Sequence, residues 1–137
     1  MNPCLGFWRK RKAMKVLLSI KPRYATQIFD GHKRYEYRRS LFKKDGIKQV
    51  VVYASSPIGK VIGEFEIIQI IHKSIEKLWE ETKSFSGISQ ETFFNYFQNK
   101  NKGYAIEIGT VKKYKKPISL NEHYGIKPPQ SFVYLQE

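Results

Sequence analysis

Cysteine is nearly absent from this chain. Cys4 stands alone among 137 residues, which rules out an internal disulfide and argues against a cysteine-built metal site. That usage fits a reducing compartment, and a cytoplasmic location is expected. Histidine is scarce as well: His32, His72 and His123 lie far apart without the paired spacing of zinc ligands, so neither a metal nor a cofactor is expected. Long apolar runs are missing too, with no window approaching the roughly 18 residues of a membrane span. The opening "MNPCLGFWRKRKAMK" lacks the apolar stretch of a signal peptide, and no membrane partner is expected. No glycine-rich loop ends in Lys-Ser/Thr, and "GKVIGEFE" has the wrong spacing, which excludes a P-loop NTPase. Nor is there a helix-turn-helix or zinc-finger pattern, which argues against sequence-specific reading of duplex DNA.

Carboxylates are the most telling shortage. Twelve acids face 25 Lys+Arg, leaving a formal charge of +13 and a pI near 9.8. Such a chain attracts polyanions, nucleic acid first and an anionic membrane surface second. Weak non-specific DNA binding, with dissociation constants of ~100 to 1 μM, follows from charge alone. The charge is uneven: between Glu64 and Glu91 six acids outnumber three lysines, so the basic excess is confined to the rest of the chain. This asymmetry favours a directed basic face.

What is present suffices for one domain. The chain is 41% apolar and 15% aromatic, enough to build a single packed core at this length. Met14 precedes the first periodic segment, so residues 1–13 read as a basic, disordered tail or as the product of a misplaced start codon, and the domain as residues 15–135. "KVLLSI" reads as a buried strand. In "KPRYATQIFDG", Pro22 suits the first helical position and Gly31 the left-handed cap. Residues 33 to 39 alternate as a strand, with Tyr35 and Tyr37 on one face and Glu36 and Arg38 on the other. "KQVVVYASS" and "GKVIGEFEIIQII" read as two strands joined through Pro57. Ser74 and Ser89 are N-caps of two short helices, the first bearing Ile75, Leu78 and Trp79, the second Phe93, Phe94 and Phe97. "GYAIEIG" and "SFVYL" are further strands, separated by "VKKYKKPISL" and the turn-prone "YGIKPPQ". The expected fold is one α+β domain, a small mixed β-barrel of about five to seven strands with short helices between them, since closure removes sheet edges.

The stretch "GHKRYEYRR" sets one carboxylate, Glu36, among five cationic side chains. Residues two apart on a strand share a face, so Glu36 and Arg38 are neighbours that can pair, while Lys33 enters from the turn after the helix. Two readings stand side by side. One is an ion pair that only fixes the mouth of the barrel. The other is a binding site in which the lysine acts as a phosphate clamp, acid or base. Cations also interleave with aromatics elsewhere, the combination that binds phosphates and stacks unpaired bases. The candidate nucleic-acid contacts are Lys21 and Arg23 in "KPRY", then Lys33, Arg34, Glu36, Arg38 and Arg39. Tyr53, Ser55 and Ser56 of "YASSP" join them, with Lys60 and, in "VKKYKK", Lys112, Lys113, Lys115 and Lys116. The last four read equally well as a solvated strand.

Taken together, "LLSIKPRYATQIFDGHKRYEYRR" with its Gly31-x-Lys33-x-x-Glu36-x-Arg38 pattern, "VVYASSPIGKVIGEFE", "GYAIEIG" and "PPQSFVYL" resemble the ASCH domain, a branch of the PUA-like superfamily. The likeness runs from about Lys15 to Leu135. It implies a PUA-like β-barrel with a cleft lined around Lys33, Glu36 and Arg38, and a role in binding RNA or a modified nucleoside, regulatory in transcription or translation. Some bacterial relatives are amidohydrolases that deacetylate N4-acetylcytidine, using a lysine after the same glycine turn, a threonine three residues later and a distant glutamate. Here Lys33 matches the lysine, but Glu36 occupies the threonine's place, so that nucleophilic route is missing. A nuclease activity has also been suggested for relatives. The first expectation is therefore a non-catalytic RNA-binding or nucleoside-sensing module. The second is a hydrolase acting on a modified nucleoside or on RNA, with Glu36 as general base, Lys33 as stabiliser, and Ser55 or Ser56 as hydrogen-bond donors.

Overall fold

Two runs without polar alternation, "VLLSI" and "VVVYA", become the centre of the sheet because both of their faces are covered. In the computed structural model, which describes residues 14–136, these are strands β1 (Met14–Ile20) and β3 (Gln49–Ala54), paired in parallel from Val16 opposite Val50 to Ile20 opposite Ala54. Val16, Leu18, Ile20, Val50 and Val52 pack into one core cluster, while Leu17, Val51 and Tyr53 pack into another on the opposite face. Burial on both sides is why these strands read as continuous apolar runs. The tail expected at residues 1–13 lies outside the described residues.

Helix α1 (Pro22–Phe29) follows β1, with Pro22 in the first turn and Ala25 and Ile28 buried against the first cluster. Gly31 has a φ of 87°, a left-handed conformation that suits glycine, and turns the chain into β2 (Tyr35–Arg38). Strand β4 (Lys60–Ser74) runs antiparallel to β3 and then beside β5 (Lys102–Ile118). Between β4 and β5 are inserted α2 (Ile75–Thr82), a short 3-10 turn, and α3 (Gln90–Tyr96). As expected, the Ser74 and Ser89 hydroxyls cap α2 and α3, accepting from the backbone N–H of Lys77 and Thr92. Their apolar faces join Tyr37 in a cluster of Leu78, Trp79, Phe93 and Phe97. After β5 come α4 (Leu120–Tyr124) and β6 (Phe132–Gln136), which pairs antiparallel with β1.

The strand order is β2-β5-β4-β3-β1-β6. The six strands and interposed helices agree with the α+β expectation, but the closed barrel does not: backbone pairing stops at β2 on one edge and β6 on the other. Side chains do the joining there. Arg38 of β2 reaches Ser131 beside β6, Phe42 packs edge-on against Phe132, and the Tyr134 hydroxyl accepts from the backbone N–H of Lys43 and Lys44. With only four residues in β2, side-chain ties and the segment after it cover the edge that closure would otherwise remove. No helix among the described residues is long and apolar enough to cross a membrane.

Candidate functional site

The carboxyl ends of parallel β1 and β3 lie side by side and open onto a cleft of about 1120 Å³. Ser19, Ile20 and Lys21 come from the first strand end and Tyr53, Ser55 and Ser56 from the second. The backbone holds this mouth in place: Ser55 N–H donates to Ile20 O, Ser19 N–H to Ser131 O, and the Ser19 hydroxyl to Pro129 O at 2.6 Å. These last two bonds fasten the 128–131 turn along one side of the cleft.

β2 supplies the charged floor. Glu36 and Arg38 do share a face, and Arg38 Nη1 donates to Glu36 Oε2 at 3.2 Å. Arg38 Nη2 also donates to the Ser131 hydroxyl at 2.7 Å and to its carbonyl at 3.3 Å. Glu36 is only 6% exposed, and Lys33, at 2%, is deeper still. Burial of a lysine demands compensation. Its Nζ donates to Ser86 O at 2.6 Å and lies 5.2 Å and 4.8 Å from the ring centroids of Tyr24 and Tyr37. Burial lowers the Lys33 pKa from 10.5 to about 8, against the opposing attraction of Glu36. Lys33 is therefore a cation near neutral pH that loses its proton under mildly basic conditions. Tyr37 is fixed by a 2.6 Å hydrogen bond to Thr82, and burial raises its pKa well above the ordinary tyrosine range, so it stays neutral.

Of the residues expected at the site, Lys21, Lys33, Glu36, Arg38, Arg39, Tyr53, Ser55 and Ser56 line this cleft. The others do not. Arg23 lies over the Tyr24 ring at 5.1 Å, and Arg34 over Phe85 at 5.5 Å. Lys60, at the start of β4, is exposed, as are Lys112, Lys113, Lys115 and Lys116, which continue β5 beyond "GYAIEIG" as a solvated strand. The cleft also includes groups outside the expected set: Tyr24 of α1; Tyr96 and Asn95 of α3; and the 128–131 turn, which the sequence showed only as part of the turn-prone "YGIKPPQ" and of "PPQSFVYL". Tyr96 donates its hydroxyl to Tyr37 O at 3.2 Å, which couples α3 to β2. Among the described residues no group of His, Cys, Asp and Glu could hold a metal ion.

The family model described as the ASCH domain matches residues 18–124, a span containing α1, the Lys33–Glu36–Arg38 floor and most of the sheet. The chain belongs to the ASCH domain family. A curated relative from Zymomonas mobilis, an ASCH domain-containing ribonuclease, is 25% identical over 127 residues, covering 90% of this chain and 85% of the relative. The crystal structure of ASCH from Zymomonas mobilis superposes with a TM-score of 0.81 at 26% identity, covering 88% of this chain and 87% of that one. A tyrosine-to-phenylalanine variant of the same protein gives 0.81 at 25% identity, covering 88% and 89%. Two relatives from Ureaplasma parvum are much longer. This ASCH domain is 32% identical over 122 residues to ATP synthase subunit alpha, covering 88% of this chain but 15% of the relative. It is 28% identical over 121 residues to large ribosomal subunit protein uL22, covering 88% and 39% respectively.

Proposed function

We propose that this ASCH domain is an RNA-binding module whose cleft receives an unpaired nucleotide or a modified nucleoside. The observation that carries the reading is the convergence of Lys33, Glu36 and Arg38 on the floor of a cleft walled by tyrosines. Lys33 and the remaining guanidinium donors of Arg38 offer charge-assisted bonds to a phosphate or a base carbonyl. Arg38 holds Glu36 through Oε2, and the other carboxylate oxygen offers an acceptor to a base amine. Tyr24 and Tyr96 supply ring faces against which a base can stack. At about 1120 Å³ the cleft exceeds the usual ~300–1,000 Å³ of a small-molecule site, which suits a nucleotide within a chain.

The test is fluorescence anisotropy with a single-stranded RNA, a hairpin RNA and a duplex DNA at about 50 and 200 mM salt, repeated with Lys33→Ala/Glu36→Ala. One RNA preferred at the higher salt, with the preference lost in the variant, supports the reading. Equal binding of all three by both proteins overturns it.

A second reading is metal-independent RNA cleavage, favoured by Lys33 and by the Zymomonas mobilis relative whose name is ribonuclease. Because Glu36 is engaged by Arg38, the base role shifts from Glu36 to the neutral form of Lys33. It would take the proton of a 2′-hydroxyl, whose oxygen attacks the adjacent phosphorus and expels the 5′-oxygen, while Arg38 stabilises the charge that develops on the phosphoryl oxygens. The 5′-oxygen takes a proton from solvent water as it leaves. Cleavage by this route rises with pH to a plateau above about 8 and spares an all-deoxy oligomer. A flat pH profile would remove Lys33 from the base role.

A further inference from the structure

A second groove, about 810 Å³ in volume, lies beside the cleft, and both include Arg39 and Ser40 in their walls. A strand leaving the cleft over these two residues enters the groove directly. Three lysines, Lys43, Lys100 and Lys102, line it together with Arg39, and no carboxylate does. None of the four pairs with a described carboxylate, so their charge is not neutralised within the described chain. Arg39 is held at the junction, with Nη1 donating to Tyr96 O and Gln98 O at 2.8 Å each. The groove also holds an aromatic pair: the His72 ring lies flat on Tyr104, with centroids 4.0 Å apart and planes 7° apart.

We propose that this groove carries the phosphodiester backbone of the RNA nucleotides that flank the one held in the cleft, with the His72–Tyr104 pair presented to a neighbouring base. The proposal rests on the RNA reading of the cleft and extends it to a continuous track. Unneutralised cations along one path bind successive phosphates by releasing counterions. The aromatic pair selects nucleic acid over other polyanions, because a base has a flat face to lay against a ring and an acidic peptide side chain has none.

The experiment compares the wild type with Lys43→Ala/Lys100→Ala/Lys102→Ala, three exposed positions outside the cleft. The probes are a labelled oligouridylate dinucleotide and one of about ten nucleotides, read by anisotropy across a salt series. The triple variant should bind the long oligomer about tenfold more weakly at about 50 mM salt, with a salt slope shallower by about two, at roughly 0.7 per lost contact. Dinucleotide binding should be unchanged. A wild-type slope for the long oligomer overturns the track, as does a polyglutamate peptide of similar charge that competes as well as the RNA does. Lys33→Ala/Glu36→Ala separates this from the cleft reading, because that variant should weaken both lengths. If the lysine variant fails on the long oligomer while the cleft variant binds both lengths normally, the groove is an RNA site and the cleft reading falls. If only the cleft variant fails, the cleft stands and the track falls.

Discussion

Arg38 and Ser131 tie the two edges of the sheet together. The guanidinium Nη2 of the β2 residue lies 2.7 Å from the serine hydroxyl and 3.3 Å from its carbonyl, and Ser131 immediately precedes β6. The same guanidinium holds Glu36, so one side chain both bridges the open sheet and neutralises the carboxylate in the cleft. Replacing it by alanine breaks the bridge and leaves a buried charge without its partner. The expected cost is about 3 kcal/mol of unfolding free energy, since losing one member of a buried pair is far worse than losing an exposed one. Ser131→Ala, which removes only the hydroxyl, should cost about 1 kcal/mol. Urea denaturation decides it: a loss below about 1 kcal/mol for Arg38→Ala would mean that the bridge is decorative.

Lys33 makes stability depend on pH in an unusual direction. Its folded pKa, about 8, lies below the 10.5 of the unfolded chain. Between those values the unfolded state binds more protons than the native one, so stability rises with pH. The penalty for holding the charged lysine in its buried site is fully present below pH 8 and disappears as pH climbs toward 10.5. Full relief is worth about 3 kcal/mol. Tyr35, Tyr37 and Tyr96 act oppositely, because burial raises their pKa values and their unfolded forms ionise near pH 10. Stability should therefore climb from about pH 8 to about pH 10 and fall beyond. Lys33→Met should abolish the climb while leaving the decline. Melting temperatures across that range are the readout, and an unaltered climb in the variant would assign it to some other group.

Much of this fold and part of the cleft can be read from local pattern. The uninterrupted apolar runs of β1 and β3, the Ser74 and Ser89 caps, Pro22 at the start of α1 and Gly31 after it are short-range signals, and all lie where the pattern puts them. The Glu36–Arg38 pair follows from a period of two. What was illegible depends on distant partners. For "VKKYKK" the pattern leaves a solvated strand and a nucleic-acid contact equally open, and what makes it part of β5 is its backbone pairing with β4, with Lys112 opposite Glu64. The open sheet edges, and the arrival of Tyr96 and the 128–131 turn at the cleft, come from tertiary packing that no window of residues encodes. The five-residue α4 is too short to generate a periodic signal.

Gly87 guards the position of Lys33. Its φ is 72°, and a Cβ built there would lie 2.8 Å from both Cβ and Cγ of Lys33 and 2.7 Å from the Gln27 side-chain oxygen. A flexible tip could yield, but the root of a buried lysine has little room to move. Gly87→Ala therefore incurs both backbone strain and a clash, together about 2 kcal/mol. Because the displaced atoms carry Nζ away from Ser86 O and the two tyrosine rings, RNA affinity should drop as well. Calorimetric melting combined with the anisotropy assay tests this, and a variant with wild-type stability would show that the loop simply shifts.

The lysines of "VKKYKK" should behave quite differently from those of the cleft. Lys112, Lys113, Lys115 and Lys116 are exposed on β5, and none lines either the cleft or the neighbouring groove. Exposed cations act on a polyanion through long-range attraction and counterion release, with no means of distinguishing one base or strand type from another. Changing all four to glutamine should weaken binding of every nucleic acid at about 50 mM salt and flatten the duplex-DNA salt slope by up to about 0.9 per lysine that touches phosphate. Any preference for one RNA at about 200 mM salt should survive, because the proposed reading assigns selection to Lys33, Glu36 and Arg38 in the cleft. Loss of that preference in the glutamine variant would relocate recognition from the cleft to the extended strand.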